Sequence, residues 1–490
     1  MSSQGKVYTE HALSEWGRSR TRGSAGWRAT ANGGLFQPRH GGRFFTLILC
    51  VLALSGCGLI IPQPTDDYVD GRLRISYWEK WGGAYGKIIR SVVDQFNASQ
   101  DRLYVDILIV SQINQKALLA IAAGKPPDLV GLWSGDIPQY AEQGALMCLD
   151  PFMERGTLRR EDFIDIFITV NSYDGKVYAL PTTPSTNALH WNKDLFEEAG
   201  LDPEVPPGTL DELDEMAARL TKYDDRGNLI RLGFSPFEPP WWPWEWGYWF
   251  GGRLWDGSSQ ITLNSPENVR AYEWVQGHTK RYGTNQLQTF QSGFGNYLSA
   301  QSAFLSGKVA MVLDGVWMHN VIARYSPGLR CGAAPFPSAV PGLTGVAVAE
   351  SDSLSIPVGA RHPDEAFQFI EFLCGQEGSE MLNMMHGKFT PLKRVSREFI
   401  ENNPNPNVEM FRDLAQSPDV FCAPRMGIWY EYADEIAPMM DAIRLGKATP
   451  EELLPHVQQR VQHKLEQARR RMQRRAAVEG VLKHDTRGET

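Results

Sequence analysis

The sequence predicts an α/β protein made of more than one compact unit. Strand and helix patterns alternate from residue 73 onward, the signature of a parallel sheet with crossover helices. At 490 residues the chain exceeds what one small core organises, so two or three domains, or two lobes built by an interlaced chain, are expected. A third feature, 15 tryptophans in an otherwise ordinary composition, needs a cause, and a ligand pocket is a candidate.

The N-terminus comes first in order. Arg39, His40 and Arg43 precede an apolar run from Phe44 to Leu54, then Ser55-Gly56-Cys57. A positive flank, a short apolar run and small residues are the parts of a secretory signal. The run is shorter than the roughly 20 apolar residues a transmembrane helix needs. Leu54-Ser55-Gly56-Cys57 resembles a bacterial lipobox, so Cys57 is the expected lipidation site. Residues 1–56 are then a removed signal region, with 1–38 long and polar for such a segment, and 57–71 a lipidated tether carrying Pro62 and Pro64. Residues 1–56 hold 7 of the 49 basic and 2 of the 57 acidic residues, which leaves the body a net charge of −13. An acidic body argues against nucleic acid as partner.

The body follows. Leu73–Trp78 reads as a strand. Gly86–Asn97 has Ile88, Ile89, Val92, Val93 and Phe96 at helical spacing. Tyr104–Val110 is rich in β-branched residues, Ile113–Ala123 is a helix closed by Gly124, and Asp128–Leu132 is a short buried strand. Asp174-Gly175 makes a tight turn before Lys176–Leu180. The proline-rich segment 181–184 looks like a crossing between lobes, followed by a strand at Ala188–Trp191 and a helix at Asp194–Ala199. Thr209 and Glu212 form a capping box, and Ser265-Pro266 opens another long helix. Val309–Leu313 and Val346–Ile356 are extended, Pro363–Cys374 is amphipathic, and about Trp429 to Arg475 is helical. The tail, 476–490, is expected to be flexible. Cys148, Cys331, Cys374 and Cys422 allow three pairings, among which the sequence does not choose. No spacing suggests a metal site, and no cofactor is expected.

Four stretches resemble a known family. Ala122-Ala123-Gly124-Lys125-Pro126-Pro127-Asp128 leads to Gln139-Tyr140-Ala141-Glu142-Gln143-Gly144. Asp174-Gly175-Lys176-Val177-Tyr178-Ala179-Leu180-Pro181 leads to Leu189-His190-Trp191-Asn192-Lys193-Asp194-Leu195-Phe196. Phe304-Leu305-Ser306-Gly307-Lys308-Val309-Ala310-Met311 leads to Asp314-Gly315-Val316-Trp317. Glu365-Ala366-Phe367-Gln368-Phe369-Ile370 precedes Phe389-Thr390-Pro391. In this order they are similar to extracellular solute-binding protein family 1, the sugar-binding components of ABC importers and relatives of maltose-binding protein. The family often has Tyr-Asn where this chain has Trp191-Asn192, which puts a pocket role for Trp191 in doubt. The resemblance implies a two-lobed periplasmic-binding-protein fold (type II), each lobe a mixed sheet flanked by helices, with a ligand cleft between them. The expected lobes are 72–182 plus 308–350 and 183–307 plus 351–475. It also implies a sugar ligand and the transmembrane subunits of an ABC permease as partners; with the lipobox, an extracytoplasmic place with a lipid anchor is expected, and the protein is expected to be a monomer.

A sugar ring has apolar faces and an equator of hydroxyls, so it suits aromatic platforms with polar groups at their edges. Trp78, Glu79 and Trp81 stand at the end of the first strand, where open α/β sheets place ligands. Trp133 and Asp136 follow the third strand in the same way, and Asp136 also suits a helix N-cap. In the run 239–249 either Trp242 or Trp244 is the candidate platform, with Glu238 and Glu245 as local hydroxyl acceptors. From the resemblance come Asp314 and Trp317, Arg425 and Trp429, and Asp352 in the second crossing. Thr182, Thr183 and Asp352 are the expected hinge. A secreted carbohydrate-active enzyme would also be rich in tryptophan and would need two carboxylates at a defined separation. Glu238 and Glu245 are that reading's pair, but no motif frames them, so a binding protein without catalysis is expected. Within the fold, a polyol phosphate or a polyamine is the alternative ligand.

Overall fold

The structure is a computed structural model that describes residues 67–485, with side chains to Arg474. The signal region, Cys57 and most of the tether lie outside the described residues. The described part of the N-terminal unit, 67–74, is a hairpin in which Tyr68 and Val69 pair with Leu73 and Arg72. Asp70 and Gly71, both at positive φ, make its turn.

From Ile75 onward the chain is one compact unit around a mixed sheet. Its main strands are β1 (Arg72–Glu79), β2 (Leu103–Ile109), β3 (Leu129–Trp133), β4 (Leu180–Asn192), β5 (Leu229–Phe234), β6 (Val309–Gly315), β7 (Cys331–Ala334) and β8 (Ala347–Ser355). The first helices are α1 (Gly83–Ser99) and α2 (Ile113–Ala122). They fall where the apolar spacing places them, and Gly124 takes the left-handed conformation that ends the second. β1 and β3 pair in parallel at Tyr77–Leu129 and Trp78–Val130, so α1, β2 and α2 are crossover elements between them.

β4 is longer than expected. The proline-rich segment 181–184 and the strand at 188–191 form one continuous strand of 13 buried residues. Prolines lack the N–H a ladder needs, and the pairing with β8 skips a residue between Asp352 and Ser353 at that place. β4 and β8 run antiparallel through both halves of the sheet. In one half, Asp352–Ser355 of β8 pair with β3. In the other, β4 pairs with β6 from Trp191–Met311 to Asn187–Gly315, and β6 pairs in parallel with β5.

These pairings divide the chain differently from the expected lobes. β6, expected with 72–182, is bonded to β4 and β5 in the second half. Helices α3 (Pro363–Cys374) and α4 (Gln376–Met385), expected in the second half, pack on α1 instead. Phe369 of α3 meets Tyr77 at 5.9 Å and Phe96 at 5.1 Å between ring centroids. The reason is topological. β8 carries the chain back at Glu350–Asp352, and a further crossing returns it at α5 (Val408–Ala415), where the Phe411 carbonyl accepts the Thr186 hydroxyl at 2.9 Å.

A large core lies in the second half and ends on α6 (Trp429–Arg444) and α7 (Pro450–Asp485). α7 runs into the segment expected to be a flexible tail, because Ala476 and Ala477 continue a run of good helix formers. Trp191, buried, donates from Nε1 to the Pro203 carbonyl at 2.9 Å, which makes it a packing residue. Asn192 caps the next helix by accepting from the Asp194 and Leu195 amides.

Candidate functional site

The parallel pairing of β1 and β3 puts their C-terminal ends side by side. Glu79, at the end of β1, is buried and holds the turn that follows. Its Oε1 accepts the Lys80 and Trp81 amides at 2.8 and 3.0 Å, and its Oε2 accepts the Tyr77 hydroxyl. Gly131 leaves room for this carboxylate, since a Cβ there would overlap it. The clamp aims Lys80 and Trp81 past the strand ends. Trp81 stands edge-on to Trp133, with centroids 6.1 Å apart at 83°. The Lys80 ammonium lies 5.3 Å from the Trp133 ring centroid and donates to the Leu132 carbonyl at 3.2 Å.

β8 brings the opposite charge. Lys80 Nζ is 3.1 Å from Asp352 Oδ1, and Thr183 donates to Asp352 Oδ2. Burial raises the Asp352 carboxyl, but Lys80 and then Lys388 outweigh it and hold the group at about 2. Burial likewise opposes the charge on Lys80, and Asp352 with Glu79 more than restores it. Glu350 stands two residues before Asp352, on the same face of the strand. It accepts Trp242 Nε1 at 3.3 Å, and burial pushes it up to about 7.

Trp317 closes the perimeter. Its ring centroid is 5.7 Å from that of Trp242. Its Nε1 donates to the Tyr297 hydroxyl at 2.8 Å, and Tyr297 donates to Asp314 Oδ2 at 2.7 Å. Asp314 is fully buried, which pushes it up to about 7. Gly315 is required here, because a Cβ would collide with the Trp317 indole. Lys388, 8% exposed, lies 6.0 Å from the same ring.

The structure therefore brings together Trp81, Trp133, Trp242, Trp317 and Asp352, with Asp314 behind Trp317 and Glu79 behind Lys80. Thr182 and Thr183 both bond Asp352, through its carbonyl and its carboxylate. Other candidates stand elsewhere. Trp78, Trp244 and Trp429 are buried, and Trp244 packs edge-on to Trp429 at 5.1 Å and to Phe421 at 6.0 Å. Past Pro243 the chain turns inward, and the whole segment Trp246–Phe250 is buried, so only Trp241 and Trp242 remain at the edge. Glu245 is buried and accepts the Asn187 side-chain amide at 2.8 Å, whereas Glu238 is half-buried. Burial pushes Glu238 up to about 7, against the pull of Arg444. Asp136 is fully buried and accepts the Trp133 amide at 3.2 Å, the role of a turn clamp. Arg425 donates to the carbonyls of Ser134 and Ser172, both at 2.9 Å, and so ties segments together.

Sequence reasoning missed Lys80, Lys388, Glu350 and Tyr297. Lys80 and Glu350 had a signal, since each lies inside a segment already singled out. Lys388 had only its place next to Phe389-Thr390-Pro391, and Tyr297 had none, because it reaches the site from a distant loop. The four cysteines from Cys148 to Cys422 are all free. Among the described residues no group of His, Cys, Asp and Glu could hold a metal ion, and no helix is long and apolar enough to cross a membrane.

The model of the bacterial extracellular solute-binding protein family matches residues 83–380. The chain belongs to that family. Its members are binding proteins that work outside the cytoplasm, and the fold is their two-lobed α/β architecture. A binding protein of Brucella abortus (strain 2308) is 25% identical over 403 residues, 82% of this chain and 94% of its own length. The sn-glycerol-3-phosphate-binding periplasmic protein of Pectobacterium atrosepticum is 23% identical over 412 residues, 78% of this chain and 88% of that one. Among solved structures, CpMnBP1 with mannotriose bound superposes with a TM-score of 0.71 at 29% identity, covering 79% of this chain and 99% of that one. The sugar-binding protein MalE of Xanthomonas citri shares the fold, with a TM-score of 0.68 at 20% identity over 81% of this chain and 98% of that one.

Proposed function

We propose that this protein captures a sugar or short oligosaccharide and delivers it to the membrane subunits of an ABC importer. One observation carries the reading: four partly exposed tryptophans, Trp81, Trp133, Trp242 and Trp317, surround Lys80, Glu350 and Asp352 where the two halves of the sheet meet. Indole faces take the apolar faces of sugar rings, and the charged groups take hydroxyls at the rim. The mannotriose complex of CpMnBP1 supports the same ligand class. β4 and β8 are the two strands that pass between the halves, so Thr182, Thr183 and Asp352 are the proposed hinge. Bending there closes the halves on the ligand, excludes water and strengthens polar contacts. The reading is of uniform binding without turnover, supported by the engagement of Asp352, Glu350, Asp314 and Glu245 with Lys80, Trp242, Tyr297 and Asn187. Cys57 carries the lipid that holds the protein at the membrane.

A polyol phosphate is the second reading, favoured by the two cations Lys80 and Lys388 and by the glycerol-phosphate-binding relative. Calorimetry of the purified protein with mannotriose, maltotriose and glycerol 3-phosphate separates the two. Saturable binding of an oligosaccharide without release of reducing ends supports the main reading. Binding of glycerol 3-phosphate alone replaces it with the second.

A further inference from the structure

Away from the cleft, α7 changes character part-way along its length. Leu454, Val457, Val461, Leu465 and Ala468 recur every three or four residues and form the stripe it buries in the core. Over this stretch its cations are engaged. Arg460 and Lys464 both reach Glu435, at 2.7 and 2.6 Å, and Arg469 donates to the Ser258 carbonyl at 2.6 Å. Then the core runs out. Met472 continues the stripe but is 39% exposed, and Arg470, Arg471 and Arg474 stand exposed on the other side of the helix. Among the described residues these three arginines have no ion-pair partner, and Glu466, one turn earlier, bonds Gln462.

Two ordinary roles do not account for this turn. Cations offset the helix dipole only near the last turn, and α7 continues to Asp485, about 16 Å beyond Arg474. Pairing along the helix is not available either, since residues 467–475 contain no acid, and Arg470 and Arg474 stand four apart, where like charges repel.

We propose that this turn of α7 is a contact surface for anionic lipid headgroups, so that this end of the helix faces the membrane. Guanidinium forks match phosphate oxygens, and each arginine held at an anionic bilayer adds to the attraction. The body, with its net charge of −13, is repelled by the same bilayer, but about 0.1 M salt screens that repulsion over about 10 Å while the arginines act in contact. Other anionic partners fit less well. The segment 469–475 has no aromatic residue on which a nucleic-acid base could stack, and Met472 is its only apolar side chain, too little for the centre of a protein interface. The setting rests on the lipid-anchor reading above, in which the chain from Cys57 to Asp67 spans at most about 35 Å and keeps the body near the headgroups.

The test is co-sedimentation with vesicles, using the chain from Gly58, which keeps the compact unit and every described residue but carries no lipid of its own. Vesicles of phosphatidylcholine with about one-third phosphatidylglycerol should take up the protein at least tenfold better than phosphatidylcholine alone at about 50 mM salt, and the excess should vanish by about 300 mM. Arg470→Gln, Arg471→Gln and Arg474→Gln together should remove the excess with Tm unchanged. The same change of charge at exposed Arg102, Arg226 and Arg397 should leave it in place. Equal uptake by the two kinds of vesicle overturns the inference, whatever the variants do, and leaves lipidation at Cys57 and sugar binding standing. An excess that survives the first triple variant, or is lost equally in the second, also overturns it. Self-association of the protein at low salt that the first triple variant abolishes, without a preference for anionic vesicles, gives the surface to a second copy of the chain instead.

Discussion

Two groups of the described tryptophans differ in what their edges touch. Trp249, fully buried, has Phe336 at 5.5 Å, Phe421 at 5.4 Å and Trp246 at 6.0 Å around it. Trp244 and Trp429 share that surrounding of aromatic rings. Trp317 and Trp242 instead meet each other on one side and present Nε1 to Tyr297 and Glu350. Trp133 faces the Lys80 ammonium. Both groups come from the same residue type, and in 241–249 from the same run. The first group supplies cohesion, and the second supplies a surface whose polar neighbours are already oriented. An aromatic run is therefore evidence of a site only where charged groups from other strands reach its edges.

The comparison breaks most visibly at Trp249. Trp249→Ala should cost about 3–5 kcal/mol of stability, the usual range for a large core truncation. The measurement is a large fall in Tm, with ligand affinity kept in whatever stays folded. Trp317→Ala should do the reverse. An aromatic anchor contributes on the order of 2 kcal/mol, about thirtyfold in Kd, while Tm changes little because the ring leaves no enclosed cavity. A large fall in Tm with unchanged Kd would move Trp317 into the core population. Gly315→Ala sharpens the contrast, because it keeps the indole and only displaces it. It should weaken binding by about tenfold, or 1.4 kcal/mol, with the Tyr297–Trp317 bond lost in a structure of the variant.

The smallest effect concerns Glu350. Its folded pKa of about 7 lies above the ordinary 4.5, so between these values the folded protein keeps a proton that the unfolded chain releases. Stability is therefore favoured by this group below about pH 4.5, falls as pH rises towards 7, and is level above that. Glu350→Gln should flatten part of this fall in a Tm–pH series. A slope remains, since Asp314 is raised to about 7 in the same direction. An unchanged profile would show that Glu350 titrates normally and that its bond to Trp242 carries no pH dependence.

Local elements were legible because they rest on short-range chemistry. The helical spacing at 86–97, the capping pair Thr209–Glu212, whose hydroxyl accepts the Glu212 amide at 3.1 Å, and the limits Pro363–Cys374 need only neighbouring residues to be read. The same holds for Trp81, Trp133 and the Asp314–Trp317 turn, each placed by the end of its own strand. Only the tertiary structure decided which half of the sheet β6 and α3 join, because that depends on where β4 and β8 cross, and β4 hides its crossing inside one unbroken strand. It also decided that Trp242 stays half-buried against Trp317 and Glu350 while Trp244 is buried, since two residues in one run are separated by the way the chain folds past Pro243. Lys80 and Lys388 both adjoin recognisable residues, but Lys388 arrives 36 positions after Asp352, and only long-range packing brings its charge beside that carboxylate.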